Sequence, residues 1–264
     1  MAEIDRKEVR LDKIVPSVME SGKTTRTTSY NQKPIEEKSS IIKLVPGIIE
    51  KGIDNVNLSM FDESARNELL NAVGEEYIKK GKYPEAVKVY ALTKNKLMLS
   101  KIGDMYKDEV KYDKAIEVYS LINDRERLMH IGEKCLRNGD LAFAAKAFIG
   151  LNDVDRLQAI GEEWLKRERY DFAIELFNEI GNTQRLIQIG DICLEKRQYA
   201  YAAQAFELSK NKDKLSKLGD VCFNEGLYNT AFKLYLLAEN QIMIQFLKEN
   251  FPDKISIDEF RGEL

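Results

Sequence analysis

Several residue types on which catalysis and metal binding depend are scarce in this chain of 264 residues. It contains one histidine and three cysteines. The single histidine excludes sites that need two imidazoles, and the absence of a CxxC pair argues against a zinc ribbon or a disulfide framework. The sequence also has no glycine-rich phosphate loop and no recognisable pairing of a nucleophile with a base. We therefore predict a protein that is not an enzyme and that uses no cofactor.

An excess of charge and long apolar segments are missing as well. The 41 lysine and arginine residues and 44 aspartate and glutamate residues give a net charge of -3, so the broad positive surface of a duplex-binding protein is absent and nucleic acid is disfavoured as a partner. No apolar run approaches the roughly 18 residues that cross a bilayer, and the first residues, MAEIDRKEVRL, are charged. We predict a soluble, cytoplasmic protein with no membrane partner.

What the sequence does contain is a repeat of 29 residues in six copies without insertion or deletion. A glycine marks each copy: Gly74, Gly103, Gly132, Gly161, Gly190 and Gly219. Twelve residues later stands an alanine: Ala86, Ala115, Ala144, Ala173, Ala202 and Ala231. Sixteen residues later stands an aromatic residue: Tyr90, Tyr119, Phe148, Phe177, Phe206 and Tyr235. A fixed period of this length indicates an array of stacked supersecondary units.

Two helices account for the spacing within each copy. Apolar residues before and after the glycine form a stripe at helical spacing, which predicts a first helix, and the alanine and the aromatic residue share one face of a second helix. Side chains suited to cap the first helix precede it: Asn95, Asp124, Asp153, Asn182, Asn211 and Asn240. Glycine inside a helix costs up to about 1 kcal/mol relative to alanine. We predict that it is retained because glycine and the alanine let two helix backbones approach closely.

These columns, together with a tyrosine or leucine nine residues after the glycine, resemble the tetratricopeptide repeat over residues from about 66 to 250. The family repeat has 34 residues, so the second helices here should be about one turn shorter. The resemblance implies an all-α solenoid of about six antiparallel helix pairs in a right-handed superhelix, closed by a capping half-repeat. It also implies a non-catalytic scaffold or adaptor that binds a protein or peptide segment on its concave surface. Clathrin and coatomer legs are more distantly similar.

Three regions follow from the period. Residues 1–56 lie outside it and are predicted to form a flexible arm, because the stretch SGKTTRTTSYNQKP has little to bury. Residues 57–250 form the helical-repeat domain with its cap, and residues 251–264 form a tail. The arm carries a duplicated motif, KIVPSVMESG at 13–22 and KLVPGIIEKG at 43–52. Each copy is either a short apolar turn that docks on the solenoid or a linear motif for a partner, which two copies would bind with avidity.

Residues that resemble a reactive site are assigned to packing by their position in the repeat. Cys135, Cys193 and Cys222 occupy the slot three residues after the glycine, which Trp164 fills in another copy. All four are predicted to lie in the core. His130 falls in a slot of variable composition and is predicted to lie on the surface.

One polar column is acidic in all six copies: Glu75, Asp104, Glu133, Glu162, Asp191 and Asp220. In the resembled family the residue after the glycine faces the concave groove, which implies a ladder of carboxylates that attracts lysine or arginine side chains of a partner. The alternative is that each acid pairs with a cation four residues later in its own repeat. Lys79, Arg137 and Lys166 are placed to do so, which covers half of the column.

Two further features leave alternatives open. Beside the acids, an apolar column is either the groove floor or inter-repeat core: Ile78, Leu136, Leu165, Leu194 and Phe223. Basic clusters end the first helices at KKGK (79–82), KRER (166–169) and EKR (195–197). Helix dipoles favour cations there, but an RNA-binding edge is the competing interpretation. An RNA-binding helical-repeat protein and a coat-like or accessory subunit of a larger complex are therefore the alternative functions.

Overall fold

The computed structural model describes residues 42–256, and within that range the regular structure is helical with no strand. The α-helices are α1 (Val45–Lys51), α2 (Glu63–Lys79), α3 (Tyr83–Leu92), α4 (Lys96–Asp108), α5 (Tyr112–Leu121), α6 (Arg125–Asn138), α7 (Leu141–Leu151), α8 (Val154–Lys166), α9 (Tyr170–Glu179), α10 (Thr183–Glu195), α11 (Tyr199–Leu208), α12 (Lys212–Asn224), α13 (Tyr228–Leu237) and α14 (Gln241–Asn250). Short 3-10 helices span Ile53–Asn55 and Pro252–Lys254. The predicted all-α class is confirmed.

Within residues 42–256 the chain divides into two compact units, and the division falls between Leu69 and Leu70, inside α2. In the first unit, the second copy of the duplicated motif forms α1, with Val45 and Ile48 buried. Its proline stands in the first turn, where a helix tolerates it, and Gly52 follows the last turn at φ +80°. The prediction of a flexible arm is therefore wrong for this segment. Residues 1–41, including the first copy of the motif, lie outside the described residues.

The second unit is built from pairs of consecutive helices, one pair per repeat. The first helices of the pairs are α2, α4, α6, α8, α10 and α12, and the second helices are α3, α5, α7, α9, α11 and α13. From α3 to α14 each helix packs on the next one along the chain, and second helices of neighbouring repeats also touch, as α5 does with α7 and α9 with α11. This succession of neighbour contacts is that of an all-α solenoid.

The predicted caps are confirmed in six copies. In each, the Asn or Asp side chain accepts a hydrogen bond from the backbone N–H three residues later, at 3.0 to 3.2 Å. A residue with a left-handed backbone precedes each cap, such as Lys94 at φ 53° and Gly181 at φ 69°. The cap and the tight turn before it fix where every first helix begins.

The glycine column makes room for the aromatic residue sixteen positions later, whereas the predicted contact was with the alanine twelve positions later. A Cβ atom added at Gly190 would lie 2.3 Å from the ring of Phe206, and one at Gly103 would lie 2.4 Å from the ring of Tyr119. In all six copies the nearest atom belongs to the aromatic residue sixteen positions later. The ring thus packs directly on the helix backbone, and the alanine expected to face the glycine is instead a fully buried core residue.

The last helix behaves as the predicted half-repeat and ends where FPDK begins. Phe251 stacks on Tyr228 with ring centroids 4.6 Å apart, and Ile255 is buried. Part of the predicted tail is therefore packed, and residues 257–264 lie outside the described residues. Terminal units of solenoids usually present a polar outer face, but α14 exposes Ile242 and Phe246.

Candidate interaction surface

The residues that resembled a reactive site are packing residues, as predicted. Cys135, Cys193 and Cys222 are free thiols with no exposed surface, and burial raises the pKa of each to about 11. Trp164 is buried and stacks on Phe172 at 5.3 Å, whereas His130 is exposed. Within residues 42–256 no group of three or more His, Cys, Asp or Glu side chains is arranged to hold a metal ion.

The acidic column is organised by cations of the following repeat. Four of its six carboxylates pair with a lysine or arginine 23 residues later, in the first turn of the next first helix. We call these pairs the ion-pair ladder. They are Asp104–Arg127 at 3.3 Å, Glu133–Arg156 at 3.3 Å, Glu162–Arg185 at 2.5 and 2.7 Å, and Asp191–Lys214 at 2.6 and 2.8 Å.

Two of the four ladder cations, Arg127 and Arg156, are also held by their own helix caps. Arg127 bonds Asp104 of the previous repeat and also its own cap residue, Asp124, at 2.9 Å. Arg156 does the same with Glu133 and Asp153. Because the capping carboxylate fixes one side of the guanidinium, the other side is aimed at the neighbouring repeat. Partial burial opposes ionisation of Asp104, but hydrogen bonds from Tyr119, Arg127 and Lys107 outweigh it and lower the pKa of that carboxyl.

Pairing with a cation four residues later in the same repeat, the alternative interpretation, is a minor contribution, although Lys107 lies 3.1 Å from Asp104, three residues away. Arg137 lies 4.0 Å from Glu133, whereas Lys79 pairs with Glu76 and Lys166 with Glu163. That interpretation is therefore wrong for two of its three pairs. The signal missed in the sequence is a cation column with the same 29-residue spacing, comprising Arg127, Arg156, Arg185 and Lys214.

The ladder ends at both terminal repeats. Methionine occupies the cation position at each end, as Met98 and Met243. The corresponding acids, Glu75 and Asp220, are exposed, whereas the four paired acids are half-buried. Asp220 accepts a hydrogen bond from the hydroxyl of Tyr235 at 2.7 Å. Of the six predicted partner-binding acids, the structure thus gives four an intramolecular cation and leaves two without one in the described range.

An apolar column accompanies the ladder, three residues further along five of the six first helices; the sixth, α4, has Lys107 there. Its members are neither fully buried nor fully open: Ile78, Leu136, Leu165, Leu194 and Phe223. We call this column the apolar strip. Leu136 is 40% exposed, and at the far end the ring of Phe223 meets that of Phe246 at 5.9 Å. The partial exposure of these side chains fits a groove floor, and the contact of Phe223 with Phe246 shows that the strip also packs between neighbouring helix pairs.

The basic clusters are balanced by nearby acids. Seven of their side chains lie within 4 Å of a carboxylate: Lys79, Lys80, Lys166, Arg167, Arg169, Lys196 and Arg197. Each cluster therefore presents mixed charge to solvent rather than a positive edge.

The chain matches no protein-family model, and no curated protein is similar to it. Across residues 42–256 no helix is both long enough and apolar enough to span a membrane. The resemblance to tetratricopeptide repeats therefore rests on the repeat columns themselves.

Proposed function

We propose that the protein is a non-catalytic scaffold or adaptor that binds a protein or peptide segment along the face formed by its first helices. The observation that carries this proposal is the apolar strip, in which side chains of successive repeats stay partly open to solvent. A solenoid spaces such side chains regularly, so that an elongated segment can contact several repeats at once. The tetratricopeptide-like columns support the same mode of action.

The ion-pair ladder gives this face the composition of an interface. Protein interfaces combine an apolar centre with a polar rim, and here a line of half-buried charges runs next to the strip. The ladder carboxylates are only partly enclosed, so lysine or arginine side chains of a partner can compete with Arg127 and its equivalents. Binding through these groups weakens as salt increases.

The cysteines bear on the compartment of the protein, and the basic clusters bear on the alternative of RNA binding. Three buried cysteines with no disulfide between them are typical of proteins from a reducing compartment, which supports a cytoplasmic location. Because the basic clusters are balanced by carboxylates, the RNA-binding alternative has less support than protein binding.

The proposal is tested by selection of binders from a displayed library of random peptides on the full-length protein. In a triple variant, Leu136→Gln, Leu165→Gln and Leu194→Gln, the strip loses its apolar centre. Each partly exposed leucine contributes roughly 1 kcal/mol of apolar burial to binding, so we expect dissociation constants of selected peptides to rise at least about tenfold.

A matched control changes the same residue type elsewhere. Leu92, Leu121 and Leu208 are exposed leucines near the ends of second helices, and their replacement by glutamine is expected to leave peptide binding unchanged. Equal losses in the two triple variants, or no loss in the strip variant, would refute the proposed surface.

A further inference from the structure

At both ends of the ladder, a methionine stands at the cation position and an exposed aliphatic residue precedes it, which is not so in the internal repeats. Where the cation is replaced by Met98 or Met243, the preceding residue is an exposed aliphatic side chain, Leu97 at 68% and Ile242 at 81% exposure. At the four repeats that carry a ladder cation, this preceding position is acidic or amide-bearing: Glu126, Asp155, Gln184 and Asp213. Loss of the cation and gain of an exposed apolar group therefore occur together, at both ends.

Each end thus combines an acid with an apolar neighbour. We call the set Glu75, Leu97 and Met98 the N-terminal end site, and the set Asp220, Ile242 and Met243 the C-terminal end site. Glu75 and Asp220 are the exposed members of the acidic column and have no cation partner among the described residues. Within the molecule, an acid in this register pairs with a guanidinium or ammonium group in four of six copies. The two end acids are complementary to a cation that the described part of the chain does not supply.

The C-terminal end site has the larger apolar area. Ile242 and Phe246 lie one turn apart on α14, and both are exposed. Phe246 also meets Phe223 of the apolar strip at 5.9 Å. A segment lying along the strip would therefore reach this site without leaving an apolar surface.

We propose that the two end sites dock a protein segment in which a lysine or arginine stands beside an apolar side chain. The partner's cation occupies the position that arginine or lysine fills in the ladder, and the neighbouring apolar side chain packs on Leu97 or on Ile242 and Phe246. This inference rests on the proposed function, because it concerns the same face, and it adds the chemistry of the segment that binds there.

The test uses peptides selected from the displayed random library on the full-length wild-type chain. Met243→Arg places a guanidinium in the register that pairs with the acid in four other repeats, so it should satisfy Asp220 internally and block the site. We expect at least fivefold weaker binding of peptides that contain lysine or arginine beside an apolar residue. Met98→Arg should do the same at the N-terminal end site, and the double variant should abolish the preference for basic residues. Met129→Arg, on α6 where the ladder cation is present, is the matched control and should have no effect.

Reversing the charge of the two end acids gives a second test that does not depend on blocking the end sites with an introduced arginine. Selection on an Asp220→Lys, Glu75→Lys variant should enrich acidic residues beside the apolar position. Enrichment of lysine and arginine at wild-type levels on this variant would overturn the end sites.

The outcomes separate this inference from the proposed function. If the wild-type chain enriches no peptide, both fail. If peptides bind and are lost in the strip variant but are indifferent to Met98→Arg and Met243→Arg, the end sites alone fail. A concentration-dependent dimer in light scattering that Met243→Arg abolishes would identify a second copy of the chain as the occupant and overturn the proposal.

Discussion

A single methyl group added to the glycine column provides a sharp test of how the helices of a pair are held together. In Gly190→Ala the new Cβ would lie 2.3 Å from the ring of Phe206, which has no exposed surface. Alanine gains about 1 kcal/mol of helix propensity over glycine. Forcing an extra methyl group into a packed core costs about 1 to 3 kcal/mol. Since the ring must shift in a filled core, we expect the upper part of this range and a net loss of about 1 to 2 kcal/mol.

Thermal unfolding followed by circular dichroism measures this effect. For a chain of this size a loss of 1 kcal/mol lowers the melting temperature by roughly 2 to 4 °C, so Gly190→Ala should melt lower by a few degrees. Gly132→Ala is the matched control, because its Cβ would lie 3.1 Å from Phe148 and a small adjustment relieves the contact. The propensity gain should then nearly cancel the packing cost. Equal melting temperatures for the two variants, or a stabilised Gly190→Ala, would refute the assignment of the ring as the partner of the glycine.

Three further predictions follow from local geometry. Val110 has a left-handed backbone, φ 61°, at an exposed position. Asparagine tolerates this conformation, whereas a β-branched residue is strained in it. Val110→Asn should therefore raise the free energy of unfolding by about 1 kcal/mol, as measured by thermal unfolding. Folding lowers the pKa of Asp104, so its stabilisation is fully present above the unfolded aspartate pKa of about 3.9 and is lost as pH falls through the lower folded-state pKa. The stability difference between wild type and Asp104→Asn should therefore shrink in acid denaturation profiles. The three cysteine thiols, fully buried and with pKa values of about 11, should react with a disulfide reagent at pH 8 only as fast as the protein opens, and all should react at once in denaturant.

Each of these expectations has a clear contrary result. An unchanged melting temperature for Val110→Asn would mean that the turn relaxes without strain. A stability difference for Asp104→Asn that is constant from neutral to acid pH would show that the charge of Asp104 in the ladder does not stabilise the fold. Rapid labelling of any thiol in the folded protein would contradict the register that places the cysteines in the core.

The repeat columns were sufficient to predict the fold class because the same residue type occupies the same packing position in every copy. Six glycines at one spacing, with an aromatic residue at a fixed distance, leave few architectures open. The caps were predictable for a similar reason, since Asn95 and its equivalents stand where free amides begin a helix. The left-handed residues Val110 and Lys94 gave no such signal, because neither is a glycine.

The contacts between repeats were harder to predict. The sequence of a single repeat contains the acid but not its partner, since Arg127 pairs with Asp104 only when the next first helix lies alongside. Which residue faces the glycine also depends on how two helices are offset, and helical spacing alone does not distinguish the alanine from Phe206 in the fifth repeat. The helix α1 was missed because a seven-residue element next to a polar stretch is too short to show a period.

The most direct test of the account is the dissociation constant of one selected peptide, measured by calorimetry on the wild-type chain and on the Leu136→Gln, Leu165→Gln, Leu194→Gln variant. The account predicts binding at least about tenfold weaker in the variant, together with a smaller negative heat-capacity change, because less apolar surface is buried. An equal dissociation constant and an equal heat-capacity change in the two proteins would contradict the claim that the apolar strip is the binding surface.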